Sequence, residues 1–356
     1  MKIQSVITGT GSCIPKIVKK NSDFLNHNFL NEDGSPFGYD NEVVIEKFKA
    51  ITGIEERRYA SEDINTSDLG YFAAQKAIED AGIDQEEIDY IILSHNFGDV
   101  KSGGIQSDIL PSLASRVKYR LGIKNPACVA YDILFGCPGW IQGLIQAEAF
   151  IKSGVAKKCL VIGAETLSRV VDNNDRDSMI YSDGAGACIV EAKENNGDLG
   201  IISHAAQTNT VDECYYLFFG KSYNQNEDHS TRYIKMYGRK IYEYGLSKVP
   251  LAMKTALDKS GIDISEVKKI LIHQANEKMD EAIIKRFYRL YKAKVPKGVM
   301  PMSIHKLGNS SVATVPTLLD LIKKGEIENQ EINKGDVVIF ASVGAGMNIN
   351  AIVYRY

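Results

Sequence analysis

The sequence contains no unbroken apolar stretch of membrane-spanning length, a single tryptophan, and only six histidines and six cysteines in 356 residues. A helix that crosses a bilayer needs about 20 consecutive apolar residues, so helical membrane insertion is excluded. The cysteines (Cys13, Cys128, Cys137, Cys159, Cys188 and Cys214) form no C-x-x-C pair and no zinc-like spacing. That argues against a disulfide scaffold or a metal and for a reducing compartment. Net charge is also scarce: 42 Lys and Arg against 45 Asp and Glu leave -3. Such a balance does not hold a chain on nucleic acid or on a membrane surface, although a local patch still serves a charged partner. The opening run Met1 to Ile7 reads as a strand entering a glycine turn and lacks the apolar centre of a secretory leader. A cytoplasmic enzyme is the expectation.

What is present is ample apolar material. Hydrophobic residues make up 44% and charged residues 24%, an ordinary globular balance. The length exceeds the ~250–300 residues at which one core stops growing, so two fused halves are expected. An internal repeat supports this. Ala77-Ile78-Glu79-Asp80-Ala81-Gly82-Ile83-Asp84 is echoed by Ala256-Leu257-Asp258-Lys259-Ser260-Gly261-Ile262-Asp263. In the first copy a helical pattern from about Ser67 stops at Gly82 and gives way to the strand Tyr90-Ile91-Ile92-Leu93. In the second, Gly261 is followed by Ile270-Leu271-Ile272, which runs into His273. Helix, glycine stop and buried strand make an α/β unit.

A second echo pairs Asp183-Gly184-Ala185-Gly186-Ala187, before the strand Cys188 to Val190, with Val343-Gly344-Ala345-Gly346-Met347, before the strand Ile349 to Tyr354. Neither is a G-x-G-x-x-G loop, so close backbone packing is preferred to nucleotide binding. The polar run Glu194 to Gly197 is read as the loop between the halves, and Asn224 to Asp228 as a surface excursion.

Phe135-Gly136-Cys137-Pro138-Gly139-Trp140 is followed by Ile141, Leu144, Ile145 and Ala149 at helical spacing. This predicts a helix with Pro138 at its first position and Cys137 as its cap. The positive end of the helix dipole favours a thiolate there by up to ~2 kcal/mol. An activated thiol that accepts an acyl group is its natural use. A buried small hydrophobe is the ordinary fate of cysteine, and the other five keep that reading. His273 is expected at the carboxyl end of a central strand, where ligands collect in α/β sheets; a structural histidine is the alternative. Asn309, in Leu307-Gly308-Asn309-Ser310-Ser311 before the apolar stretch Val312 to Ile322, reads equally as a helix cap. His95, His204, His229 and His305 are read as loop or edge residues.

Taken together, Phe-Gly-Cys137-Pro-Gly, His273-Gln-Ala-Asn, Gly-Asn309-Ser-Ser-Val-Ala-Thr-Val-Pro and the closing Gly-Ala-Gly resemble the β-ketoacyl-[acyl-carrier-protein] synthase III family. The match runs nearly end to end and includes Thr52 to Arg58 and Tyr181 to Ala187 in family order. The resemblance implies an α/β thiolase fold with duplicated halves in a five-layer αβαβα arrangement. Residues 1–195 would carry the nucleophilic cysteine and residues 196–356 the histidine and asparagine, in a homodimer. It implies Cys137, His273 and Asn309 as the catalytic set and the backbone amides of Cys137 and Ala345 as the oxyanion hole. The implied substrates are an acyl-coenzyme A or acyl-carrier-protein primer and malonyl carrier protein, with no permanently bound cofactor or metal. Lys278, Lys285, Arg286 and Arg289, in a basic run that extends to Lys297, imply docking of an acidic acyl carrier protein. A solvated lysine face is the alternative.

The chain also departs from the family pattern. Lys47 and Ile51 stand where the family commonly places a tryptophan and an arginine around the adenine of coenzyme A. The segment Asn96 to Leu110 is longer than the family norm, and Leu110 is expected to shape the acyl pocket across the dimer. A primer other than acetyl is therefore expected. Competing readings are weighed by what they require. A biosynthetic thiolase needs a second cysteine near Ser342 to Gly346. A hydroxymethylglutaryl-type synthase needs a glutamate near the first-half strand end, and Leu93 to Asn96 offers none. An acyltransferase to an alcohol or amine usually lacks the equivalent of Asn309, and a non-catalytic subunit loses Cys137.

Overall fold

The computed structural model describes residues 2–196, 198–228 and 230–356, so His229 and Gly197 lie outside the described residues. The first half runs β1 (Lys2–Cys13), β2 (Ile17–Lys20), α1 (Asn41–Thr52), β3 (Glu56–Tyr59), α2 (Thr66–Ala81) and β4 (Tyr90–Ser94). It continues with β5 (Asp99–Val100), β6 (Ser107–Asp108), α3 (Leu113–Leu121), β7 (Val129–Ile133), α4 (Gly139–Lys152), β8 (Lys158–Thr166) and β9 (Asp183–Asn195). The second half opens with β10 (Gly200–Thr208), β11 (Leu217–Gly220), β12 (Tyr233–Met236), α5 (Gly238–Ser260) and β13 (Val267–Ile272). It closes with α6 (Glu277–Leu290), α7 (Ile304–Leu307), α8 (Thr314–Lys323), β14 (Val337–Gly344) and β15 (Asn348–Arg355).

Two sheets carry the duplication. The first has the order β1-β9-β8-β4-β7 and the second β10-β15-β14-β13. Leaving out β7, the two orders correspond strand for strand, with the same pairing directions: β4 is parallel to β8 as β13 is to β14. Likewise β9 is antiparallel to β8 and β1 as β15 is to β14 and β10. The echoed glycines end the echoed helices, Gly82 after α2 at φ 63° and Gly261 after α5 at φ 69°. Both adopt the left-handed conformation in which a side chain costs most.

Helices α2 and α3 cover the outer face of the first sheet and α5, with α6 against it, that of the second. Between the sheets lie α4, which touches strands of both, and α8, which packs on β1, β9, β13 and β14. The result is the five-layer thiolase arrangement. The middle layer is apolar nearly all round, as a doubly covered helix must be. Trp140, Leu144 and Leu318 meet Phe340 and Tyr354 there in one continuous core, with Trp140 and Phe340 edge to face at 5.8 Å.

Three sequence expectations shift. The Gly-Ala-Gly segment 183–187 lies inside β9 instead of before it. Its glycines admit α8 closely: a Cβ on Gly186 would lie 2.7 Å from the Thr317 nitrogen. Glu194 is still paired to Ile3 in β9, so the polar loop between the halves starts later than Glu194. His95 follows β4 directly, in the loop expected of it, but it is only 2% exposed. Its Nδ1 accepts from the Gly98 amide at 2.9 Å, so its Nε2–H donates to Asp132 at 3.1 Å and fixes the turn after β4. His204 lies on the edge strand β10 as expected, its Nδ1 3.1 Å from Glu148, whereas His305, read as a loop or edge residue, lies instead in the short helix α7.

Candidate active site

Cys137 sits in the turn between β7 and α4. Gly136 before it has φ 66°, and Pro138 after it has helical φ −71°, but the helix itself starts at Gly139. The cysteine is thus one residue further from the helix than the cap position expected of it. Burial pushes its thiol up to about 11, a neighbouring Glu165 adds to the rise, and the Ser311 hydroxyl opposes it. The resting thiolate expected from the dipole is therefore corrected to a thiol, because lost hydration outweighs the dipole. Cys137 is still half-buried, with its face on the main cavity.

Backbone packing sets the amides. A Cβ on Gly344 would lie 2.4 Å from the Cys137 nitrogen, and one on Gly136 would lie 2.6 Å from the Ala345 nitrogen. Only glycines at both positions let the two loops approach until the Cys137 and Ala345 amides lie beside each other. The closing glycines are thus a packing device for the site, as their sequence context suggests.

His273 follows β13 directly, its amide continuing the ladder to Ala341 at 2.9 Å. The ring is 4% exposed, and its Nδ1 has no partner among the described residues. Burial lowers its pKa to about 4 against an opposing backbone interaction with Ser311, so the imidazole is neutral at physiological pH. Asn309 is pinned by its backbone, donating to Ile180 at 3.0 Å and accepting from Ser182 at 2.8 Å. Its Oδ1 accepts from the Ser311 amide at 2.7 Å, which leaves the Nδ2 hydrogens for an occupant of the cavity. It caps no helix.

Cys137, His273 and Asn309, contributed by both halves, share one cavity of about 680 Å³. Its walls are largely apolar, with Phe48, Tyr181, Leu217, Met236 and Met347 among them, and Asp175, Arg176 and Asp177 line it as well. Lys47 and Ile51 also line it, and the Lys47 ammonium stacks on the Tyr39 ring at 3.8 Å. A cation and an aromatic ring thus still stand at this wall, the ring coming from the loop before α1.

The remaining expected residues lie apart. Lys278, Lys285, Arg286 and Arg289 are exposed along α6, whose first turn reaches the cavity through Asn276 and Met279. Lys285 pairs with Glu281 at 3.3 Å, and Arg286 donates to the Leu246 carbonyl at 3.2 Å. Leu110 is 86% exposed and is not part of the cavity wall of its own chain. Cys128, Cys159 and Cys188 are buried as expected, whereas Cys13 and Cys214 are only half-buried.

Three residues of the site escaped the sequence reading. Ser311 donates to the Cys137 sulfur at 3.3 Å. Asn96 donates through Nδ2 to Ser311 Oγ at 3.0 Å and to Glu165 Oε1. Glu165, 1% exposed at the end of β8, is pushed up to about 8 by burial. The glutamate sought after β4 thus stands on the adjacent strand. Its sequence signal was a lone acid closing the apolar run Leu160 to Ala164.

Comparison with known proteins adds the following. Residues 131–210 match the family model described as 3-oxoacyl-[acyl-carrier-protein] synthase III, and residues 257–356 match the model of its C-terminal part. A β-ketoacyl-[acyl-carrier-protein] synthase III of Ruegeria pomeroyi is 32% identical, over 99% of this chain and 99% of its own. The enzyme of that name from Brucella anthropi is 30% identical, over 99% of this chain and 100% of its own. The crystal structure of 3-oxoacyl-[acyl-carrier-protein] synthase III from Aquifex aeolicus aligns with a TM-score of 0.80 at 30% identity, covering 99% of this chain and 100% of that one.

Proposed function

Because this chain belongs to the 3-oxoacyl-[acyl-carrier-protein] synthase III family of condensing enzymes, we propose that Cys137 accepts an acyl group from a primer thioester and passes it to the carbon of malonyl carrier protein. The observation that carries this reading is the meeting of Cys137, neutral His273 and Asn309 on one largely apolar cavity. In this scheme residues 1–195 supply the nucleophile and residues 196–356 the two donors.

In the first step the Cys137 sulfur attacks the primer carbonyl, the thioester bond breaks, and the thiol proton leaves with the departing thiol. The amides of Cys137 and Ala345 hold the tetrahedral oxyanion. In the second step the His273 N–H and Asn309 Nδ2 hydrogens hold the thioester carbonyl of malonyl carrier protein. They stabilise the enolate that forms as the carboxylate leaves as carbon dioxide. A neutral imidazole suits this task, since it donates without taking the proton of a nearby acid. The enolate carbon attacks acyl-Cys137, and collapse of the adduct releases the β-ketoacyl product and the Cys137 thiolate, which takes a proton from solvent to return to the resting thiol. No step asks for a metal or a resident cofactor.

The exposed cations of α6 beside the cavity mouth suit an acidic carrier protein. A homodimer joined at the open edge strand β7 suits the exposure of Val129, Leu134 and Leu110 at 45%, 64% and 86%. It would carry Leu110 toward the partner's acyl pocket. Intact-mass analysis with a panel of acyl-coenzyme A and acyl-carrier thioesters, with Cys137→Ser as control, followed by malonyl carrier protein, tests the scheme. A Cys137 adduct converted to a β-ketoacyl product is the expected outcome. An adduct that ignores malonyl carrier but moves to an alcohol or amine would instead make the chain an acyltransferase of the same fold. Fast turnover with acetyl-coenzyme A alone would overturn the expectation of another primer.

A further inference from the structure

The contacts around the Cys137 sulfur have a direction. The Asn96 Nδ2 donates to Glu165 Oε1, which accepts whether the glutamate is ionised or carries its proton on the other oxygen. The same nitrogen lies 3.0 Å from Ser311 Oγ, so the serine oxygen must accept there. A hydroxyl carries one hydrogen, and with its oxygen occupied by Asn96 that hydrogen is left for the sulfur at 3.3 Å. Ser311 is held in this place at φ 52°, a left-handed conformation unusual for a residue with a side chain, by donating its amide to Asn309 Oδ1 at 2.7 Å. Strained backbone of this kind persists where the surroundings enforce it, often at functional sites.

We infer that Ser311 is a further catalytic residue, a hydroxyl oriented by Asn96 to donate its hydrogen to the Cys137 sulfur and so to stabilise the negative charge that the sulfur carries on attack and on release. Asn96 and Glu165 are positioning residues: Glu165 aims the Asn96 amide, and Asn96 aims the serine hydrogen. The sulfur gains its donor without a second base, which a neutral His273 does not provide. The inference deepens the proposed reaction and rests on it for its consequence, but its test needs no acyl substrate.

The groups facing Cys137 come from four elements and their flanks: Glu165 from β8, His273 after β13, Tyr181 before β9 and Ser311 before α8, while Asp183 faces Glu165 in turn. Ser311 lowers the Cys137 pKa and the Glu165 charge raises it. The two residues therefore give opposite signs on substitution.

The experiment is the pH dependence of iodoacetamide alkylation of Cys137 in the full chain, read by peptide mass spectrometry from pH 6 to 10. Buried Cys159 and Cys188 serve as internal folding controls, since their labelling reports unfolding. Ser311→Ala keeps the strained backbone and Ser311→Gly relieves it, yet both delete the donor. Both, and Asn96→Leu, are expected to shift the labelling-rate profile toward higher pH by about one unit and so to slow labelling at pH 7.5 about tenfold, the effect of one hydrogen bond to a charged group. Glu165→Gln keeps an acceptor for Asn96 and removes the charge that Glu165 carries above about pH 8, so labelling in that range is expected to quicken. Coincident profiles for the wild type and both Ser311 variants, with Cys159 and Cys188 protected, would overturn the inference. Normal alkylation with no acylation by any thioester would overturn the proposed reaction, and with it the catalytic consequence, and leave standing the Ser311 donation to the sulfur.

Discussion

Among the residues of the cavity, His273 shows how surroundings choose between the roles open to an imidazole. Burial lowers its pKa from 6.5 to about 4, which disqualifies it as a base near neutrality and leaves it a donor. The same shift is a statement about stability. Between pH 6.5 and 4 the unfolded chain binds this proton and the folded chain does not, so stability from this group is full above 6.5 and is lost as pH falls through 4. In activity, decarboxylation of malonyl carrier protein should not respond to His273 between pH 5 and 8. His273→Ala and Asn309→Ala should each slow carbon dioxide release by on the order of a hundredfold or more, the few kcal/mol that one such donor supplies. Acylation of Cys137, followed by intact mass, should be partly retained in both. Normal carbon dioxide release from either variant would remove that residue from the enolate step.

At the scale of elements, the site depends on how closely the approach to α8 lies on the first sheet. A Cβ on Gly163 would meet the Val312 carbonyl oxygen at 2.4 Å, and a backbone carbonyl has little freedom to yield. Gly163→Ala is therefore expected to cost ~1–3 kcal/mol in urea unfolding. It should also displace Ser311 enough to cut condensation sharply. Gly82→Ala, at φ 63° with open space around it, should cost ~1 kcal/mol and leave turnover intact. Equal activity losses in the two variants would break the link between this packing and the site. The contrast also explains what the sequence disclosed. Gly82 and Gly261 end their helices through local rules, so they, the repeat and the strands after them were legible. Cys137, His273 and Asn309 were legible because each sits in its own peptide pattern. The Ser311 contact to Cys137 spans 174 positions, and nothing local announces it. The thiolate expectation failed for the same reason, since the water excluded from Cys137 is excluded by elements far along the chain.

At the scale of the whole molecule, the open edge at β7 is the feature that sets the first sheet apart from the second. Light scattering on the full chain, 39.3 kDa by sequence, should give about twice that mass, and Val129→Arg with Leu134→Arg should return it to a single chain. A wild-type monomer that turns over normally would rule out a required second copy. Among the described residues no helix is long and apolar enough to cross a membrane. The α/β class was readable from the repeated helix-glycine-strand unit, while the five layers with their shared middle came only from the family resemblance, because α4 and α8 look like ordinary apolar helices until both sheets close on them. That shared layer has a consequence for synthesis. Trp140 and Leu144 leave the ribosome with the first half, but Leu318, Phe340 and Tyr354, which cover them, are made near the end. At roughly 5–20 residues per second the nascent first half waits on the order of 10–30 s with its inner face bare, long enough for chaperones to compete for that surface before the chain can close upon itself.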